Sequence, residues 1–259
     1  MSEQAKETVA ETIEVRTLGR NTTPEPGVVY NEDALVIMGA INDLSVDMVL
    51  SDPPYGVDFQ SNMPQEGYEK PKIANDKWED TENLLRRFFK QSSRVLSEGG
   101  VLISFCAGGG PRPLLPKIWG MLSETPGLEV ENCLVWDRLD IGLGWRYRPQ
   151  WEGILVAVKG DKRRAWNGAT NQSNVLRYPR IIPKAGEHPT PKPPDLICRL
   201  LLDNSNEGDL ILDPFCGGGA VPFVCEREKR RWIACDMEPR YAEMTRARLR
   251  KERNQLKLF

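Results

Sequence analysis

Three groups of residues have types and spacings that could do chemistry. The first is Asp52-Pro53-Pro54-Tyr55, joined through Ser51 to the apolar run Val46 to Leu50. A run of that length, bounded by a turn signal, reads as a buried strand. Proline cannot donate to a sheet ladder, so Pro53 and Pro54 end it. A carboxylate, an exposed backbone carbonyl and an aromatic ring are thereby offered together, as for one small planar molecule. A rigid loop with no further role is the plain alternative. The second group is Asp213-Pro214-Phe215-Cys216-Gly217-Gly218-Gly219, after Leu210 to Leu212, followed by Trp232 to Cys235 and Asp236. Strand, glycine turn, helix, strand and acid is the order of a nucleoside site: the glycines admit close backbone approach and the acid accepts from ribose hydroxyls. There is neither a dinucleotide fingerprint nor a Walker lysine, so a nucleoside with an amino-acid tail fits better than a pyrophosphate. The third group is His188-Pro189-Thr190-Pro191-Lys192-Pro193.

The elements that must position these groups alternate between strand and helix. Val28 to Tyr30 reads as a short strand leading through Asn31 and Glu32 to Asp33, with a helix over 34–41; Asp33 is a candidate for the ligand site and equally a helix cap. Residues 58–80 form a long polar loop, of the kind that often closes over a site. Thr81 then caps a helix carrying Leu84, Leu85, Phe88, Phe89, Val95 and Leu96, which Gly99-Gly100 stop. Val101 to Cys106 is a strand, and Ala107-Gly108-Gly109-Gly110-Pro111 turns at the same edge as Asp52. Two further strands, over 132–136 and 154–158, flank a loop in which Arg138, Arg146 and Arg148 alternate with Trp145 and Tyr147. Such interleaving suits nucleic acid, although a solvated hairpin tip looks the same. Residues 159–187 lack apolar periodicity and carry Arg163, Arg164, Arg177 and Arg180. A helix starts at Pro193 or Pro194, another contains Pro222 early, and a third begins at Pro239.

These motifs and their order resemble the amino-group DNA methyltransferases of the permuted β group. In that group an Asp-Pro-Pro-Tyr catalytic motif precedes a target-recognition segment, a His-Pro-Thr-x-Lys-Pro element and an Asp-Pro-Phe-x-Gly-x-Gly cofactor motif. The resemblance covers roughly residues 28 to 250, and departs from the pattern at Gly218, where the group has Ser or Thr. It implies an α/β fold, a Rossmann-like, doubly wound, mostly parallel seven-stranded sheet, circularly permuted, with a short target-recognition insertion. The expected division is a mobile tail over 1–26, a catalytic half over 27–158, a target-recognition segment over 159–187 and a cofactor half over 188–259.

The resemblance further implies S-adenosylmethionine as cofactor and the exocyclic amine of a flipped base in double-stranded DNA as target. Asp52 with the Pro53 carbonyl would accept the two amino hydrogens, and Tyr55 would stack on the base. Asp236 would hold the ribose, with Phe215, Gly217 and Gly219 forming the turn. Asp213 would organise that turn or meet the methionine ammonium, Thr190 and Lys192 would serve the methionine carboxylate, and Asp33 would lie near the adenine. Arg146, Arg148, Arg163, Arg164, Arg177 and Arg180 are the candidate DNA contacts. Asp at position 52 leans toward adenine. The same reaction on cytosine, an inactive DNA-binding relative, and a glutamine or RNA methylase with an Asn-Pro-Pro-Tyr motif are the alternatives. The resemblance also admits a homodimer and a cognate restriction endonuclease as partners.

Composition narrows the field. The formal net charge of the 259 residues is −2, so any phosphate attraction must be local. No run reaches membrane-spanning length and no secretory signal opens the chain, so a cytoplasmic protein is expected, and the resemblance implies a bacterial or phage-encoded one. The six cysteines lack metal-site spacing and His188 is the sole histidine, so no metal is expected.

Overall fold

The computed structural model describes residues 13–56, 78–108, 114–142, 146–183 and 188–256. Its elements in chain order are β1 (Val15–Arg16), β2 (Val29–Asn31), α1 (Ala34–Ala40), β3 (Val46–Ser51), α2 (Trp78–Val95), β4 (Leu96–Cys106), α3 (Leu114–Ser123), β5 (Leu128–Asp137), β6 (Trp151–Lys159), β7 (Val175–Arg177), α4 (Pro194–Asn204), β8 (Leu210–Asp213), α5 (Ala220–Arg227), β9 (Arg231–Asp236) and α6 (Pro239–Leu256). One sheet runs β1-β2-β9-β8-β3-β4-β6-β5-β7. All pairings are parallel except those of β6, which is antiparallel to both β4 and β5. The seven expected strands form the body of the sheet, and the two-residue β1 and three-residue β7 extend its edges.

The helices divide by face. Ile37 and Met38 of α1, Leu85, Phe88 and Phe89 of α2, and Ile118 and Leu122 of α3 pack on one side. Leu196, Leu200 and Leu201 of α4, Val221 and Val224 of α5, and Ala242 and Leu249 of α6 pack on the other. The strands between are buried on both faces, as their continuous apolar runs require. Val49 belongs to one cluster while Met48 and Leu50 belong to the other.

Several expectations are corrected. The segment expected as a mobile tail is docked from residue 13 onward: Ile13 is buried and Val15 and Arg16 pair with Val29 and Tyr30. The alternation of Ile13 and Val15 gives it an apolar face to bury. Thr81 does not cap α2, which begins at Trp78; Thr81 is buried inside the helix. Glycines do not stop the helix either. It ends at Val95, and Gly99, at φ +76°, lies where a Cβ would be 2.7 Å from the backbone of Lys162 and Arg164. Most of the loop expected over 58–80, the Gly109-Gly110-Pro111 turn and Trp145 lie outside the described residues.

Candidate active site at the carboxyl edge of the sheet

Parallel strands bring their carboxyl ends to one edge. Met48 and Val49 of β3 pair with Ile211 and Leu212 of β8, so Asp52 and Asp213 emerge side by side. Asp213 ends β8 opposite Ala234 of β9, which places Asp236 next along the same edge. Because β6 runs the opposite way, its first residues also arrive there, Gly153 facing Cys106 at the end of β4. A single cavity of about 790 Å³ opens over these ends. Its walls include Asp236, Phe215 and Gly217 at one end and Asp52, Pro53 and Tyr55 at the other. That volume lies in the usual range for small-molecule sites.

At the glycine end the backbone is pre-shaped. Gly217 has φ +48° and Gly219, the N-cap of α5, has φ +71°. A Cβ on Gly217 would lie 2.8 Å from His188 Nε2, and one on Gly219 would lie 2.7 Å from Thr245 Oγ1. The Gly217 N–H donates to Asp236 Oδ2 at 2.9 Å, and the Glu238 N–H donates to Oδ1 at 2.9 Å. Asp236 therefore ties the turn to β9. Burial pushes its carboxyl up to about 6, against the lowering by those two N–H groups. Asp213 is buried, and its Oδ1 accepts from Ser51 Oγ at 2.6 Å and from the Phe215 N–H at 3.3 Å. Burial pushes it up to about 7. Of its two expected roles, the geometry displays the organising one. Phe215 sits edge-on to Phe88, ring centroids 5.4 Å apart.

His188 packs over this turn and edge-on to Tyr241, centroids 4.7 Å apart. Its Nδ1 accepts from the Thr190 N–H at 3.4 Å, and burial, with Lys192 and Arg240 adding to it, lowers its pKa to about 4. His188 is therefore a neutral packing group at pH 7. A Cβ on Gly218 would come within 3.3 Å of His188 Cβ, which gives a physical reason for glycine where the resembling group has Ser or Thr. Asp33 caps α1, its Oδ1 accepting from Leu35 N and Val36 N at 2.8 and 3.2 Å, and it also lines the cavity.

At the other end Asp52 is gripped at both oxygens. The Tyr55 hydroxyl donates to Oδ1, and Lys192 Nζ lies 2.6 Å from Oδ2. Burial with the Asp52 and Glu152 charges keeps the Tyr55 phenol protonated, well above its usual range. A carboxylate has about four lone-pair sites, so both oxygens can still accept another hydrogen. Lys192, expected at the cofactor's carboxylate, lines the cavity and is 7 % exposed beside Asp52, near the rings of Phe105 and Trp136. Burial lowers its pKa, but the Asp52 and Glu152 carboxylates outweigh that and raise it, so the ammonium persists. Sequence reasoning missed Glu152, at the start of β6. The one available signal was an acid separated by a single glycine from the apolar run 154–158.

The arginines separate into two sets. Arg146, Arg148, Arg177 and Arg180 lie at the carboxyl edge: Arg148 Nε donates to the Gly142 carbonyl at 2.6 Å, Arg177 faces Asp137 at 3.7 Å, and Arg180 pairs with Asp140 at 2.5 Å and lines the cavity. Arg146 is exposed at φ +62°, beside Tyr147, which is 98 % exposed. Arg163 and Arg164 are not brought to the site. Arg164 bridges Asp47 and Asp209 at the opposite ends of β3 and β8, and Arg163 pairs with Glu131 and donates to Asn204 Oδ1 at 2.5 Å. Complementary carboxylates near both explain why they serve the fold.

A doubly wound sheet with one antiparallel strand carries a glycine turn tied to an acid at the next strand end, and a second acid stands in the same cavity. Comparison with known proteins agrees. The family profile described as DNA methylase, of the N6/N4 methyltransferases, matches residues 46–247. The type II methyltransferase M.HhaII of Haemophilus parahaemolyticus is 30% identical over 202 residues, covering 76% of this chain and 85% of its own. The crystal structure of the M1.HpyAVI–SAM complex superposes with a TM-score of 0.64 at 21% identity, over 85% of this chain and 98% of its own. The cytosine-N4-specific PvuII DNA methyltransferase does so with a TM-score of 0.70 at 17% identity, over 91% and 94%. The chain belongs to the N6/N4 DNA methylase family. It is a DNA methyltransferase, and its cofactor is S-adenosylmethionine.

Proposed function

We propose that the chain methylates the exocyclic amine of an adenine flipped out of double-stranded DNA. The observation that carries this reading is one cavity holding Asp52 and its Pro-Pro step together with the Asp236-tied glycine turn. When bound, S-adenosylmethionine supplies an electrophilic methyl carbon on a sulfonium centre. At the glycine end Asp236 would take the ribose hydroxyls, Phe215, Gly217 and Gly219 would form the cradle, and Asp33 would approach the adenine ring. Asp213 and Thr190 would flank the methionine part.

An aromatic amine is a poor nucleophile because its lone pair is delocalised into the ring. Asp52 and the Pro53 carbonyl would accept its two hydrogens, favouring a pyramidal nitrogen and stabilising the positive charge that develops on it. Holding nitrogen and methyl in line supplies the rest as proximity. Tyr55 would stack on the base, worth about 1–3 kcal/mol, comparable with the few kcal/mol of unstacking. Its hydroxyl meanwhile keeps Asp52 in place. Asp at position 52 favours adenine within the resembling group. The type II relatives favour a restriction-modification setting, with a cognate endonuclease acting on the same site.

Single-molecule sequencing of plasmid DNA from cells expressing the protein tests the reading. Methyl groups at adenine N6 in one short sequence context are expected. Modification at cytosine N4 would replace adenine as the target, and unmodified DNA would remove the reading altogether.

The target loop between β5 and β6 and the segment ending β7 would track the DNA backbone through Arg146, Arg148, Arg177 and Arg180. Replacing one phosphate-contacting arginine should reduce the slope of log affinity against log salt by about one. Arg146→Ala and Arg177→Ala are expected to do so in fluorescence titrations with duplex DNA. Arg164→Ala is expected to leave the slope unchanged and to lower the melting temperature. The opposite pattern would move the DNA track to the other edge of the sheet.

A further inference from the structure

Glu152 belongs to none of the motifs, yet it faces Asp52 across the buried Lys192 ammonium. Its side chain is 19 % exposed, and its Oε2 lies 3.3 Å from Lys192 Nζ without accepting a hydrogen bond. Oε1 accepts from Arg138 Nη1 at 3.4 Å. Arg138 in turn donates to the carbonyls of Pro149 and Gln150 at 2.7 and 3.2 Å. Charges therefore alternate from the end of β3 to the root of the β5–β6 loop: Asp52, Lys192, Glu152, Arg138.

An ammonium held by Asp52 alone would lean fully onto that carboxylate and draw its lone pairs away from a target amine. A second carboxylate on the far side divides the field of Lys192 and fixes where its Nζ sits. The buried carboxylates keep Lys192 charged, so the group is a fixed cation and not a proton carrier. We propose that Glu152 is a positioning residue for methyl transfer, holding Lys192 so that Asp52 Oδ2 is fixed while the carboxylate stays available to the amine. Glu152 would not itself touch the reacting atoms. This inference rests on the reading of Asp52 as acceptor for the target amine.

Glu152→Gln keeps the shape and removes the charge; Glu152→Asp keeps the charge and shortens the reach. In single-turnover assays with labelled S-adenosylmethionine and the duplex that the wild-type enzyme methylates, Glu152→Gln should slow transfer at least tenfold. Glu152→Asp should recover part of that loss. S-adenosylmethionine affinity by calorimetry, and flipping reported by 2-aminopurine fluorescence at the target position, should stay within about twofold for both, which also shows that both variants fold. A wild-type rate in Glu152→Gln overturns the proposal. So does a loss that appears in cofactor affinity or in flipping, or one shared equally by the two variants, which would mark a packing role. A wild-type enzyme that transfers no methyl to DNA amines would overturn the reading of Asp52 and this inference with it, whereas an active wild type with an equally active Glu152→Gln overturns this inference alone.

Discussion

Asp52→Ala is expected to reduce methyl transfer by about 10²–10³-fold or more, the loss found when one preorganised group serving transition-state charge is removed. Affinity for S-adenosylmethionine should remain nearly unchanged, because Asp236 and the glycine turn form the other end of the cavity. Rate loss without affinity loss is the mark of an interaction made only in the transition state. The substitution also strips Lys192 of its nearer partner. Removing one member of a buried pair typically costs about 3–5 kcal/mol, and Glu152 should hold the figure toward the lower end. Asp52→Asn, of the same shape, should lose transfer in the same way; its amide can still accept from Tyr55 or Lys192, so its melting temperature should fall less. Single-turnover kinetics, calorimetry and thermal unfolding on the two variants separate chemistry from stability. Near wild-type transfer by either one would take the acceptor role away from Asp52.

Gly217→Ala is expected to weaken S-adenosylmethionine binding by about 30- to 150-fold. A left-handed backbone disfavours a non-glycine residue by about 1–2 kcal/mol. To that is added the approach of the new methyl group to the His188 ring, whose Nε2, Cδ2 and Cε1 would lie at 2.8, 3.0 and 3.2 Å. The ring cannot easily yield, since Tyr241 packs against it. The free turn escapes this strain by shifting and binding has to restore it, so together these come to about 2–3 kcal/mol, at 1.4 kcal/mol per tenfold. The double variant Gly217→Ala with His188→Ala should recover the steric part and leave the conformational part, so the two effects should not add. Calorimetry on the four proteins of this cycle checks both. Wild-type affinity in Gly217→Ala would place the cofactor away from the turn.

Much of this site was legible because local signals mark it. Proline steps and glycines punctuate strand ends, and in a parallel sheet strand ends converge. Asp52, Asp213 and Asp236 each follow an apolar run that reads as a strand, and the resemblance in motif order implies the doubly wound sheet that gathers them. What was not legible depends on pairings between distant segments. Lys192 lies 140 positions from Asp52 in the sequence, and no periodicity reports that they meet. Glu152 reaches the carboxyl edge only because β6 runs antiparallel to β4. Arg163 and Arg164 looked like phosphate ligands because Glu131, Asp47 and Asp209, which face them, are remote in the chain. Residues 13–26 look like a tail because their polar composition hides two apolar residues two positions apart, Ile13 and Val15.

The order of the strands also bears on how the molecule comes into being. β3 lies mid-sheet between β4 and β8, yet β8 follows it by about 160 residues: the Ser51–Asp213 bond spans 162 positions and the Leu210–Asp47 bond 163. During synthesis β3 can acquire β4 on one side early, while its other side stays open until residue 213 has left the ribosome. Such non-local pairing folds slowly, and an uncovered edge of an apolar strand invites pairing with other chains. A chain halted before β8 would lack the glycine turn and keep that edge bare, making it a substrate for proteases and chaperones rather than a partial enzyme. The topology thus ties the onset of DNA modification to completion of the polypeptide through β9.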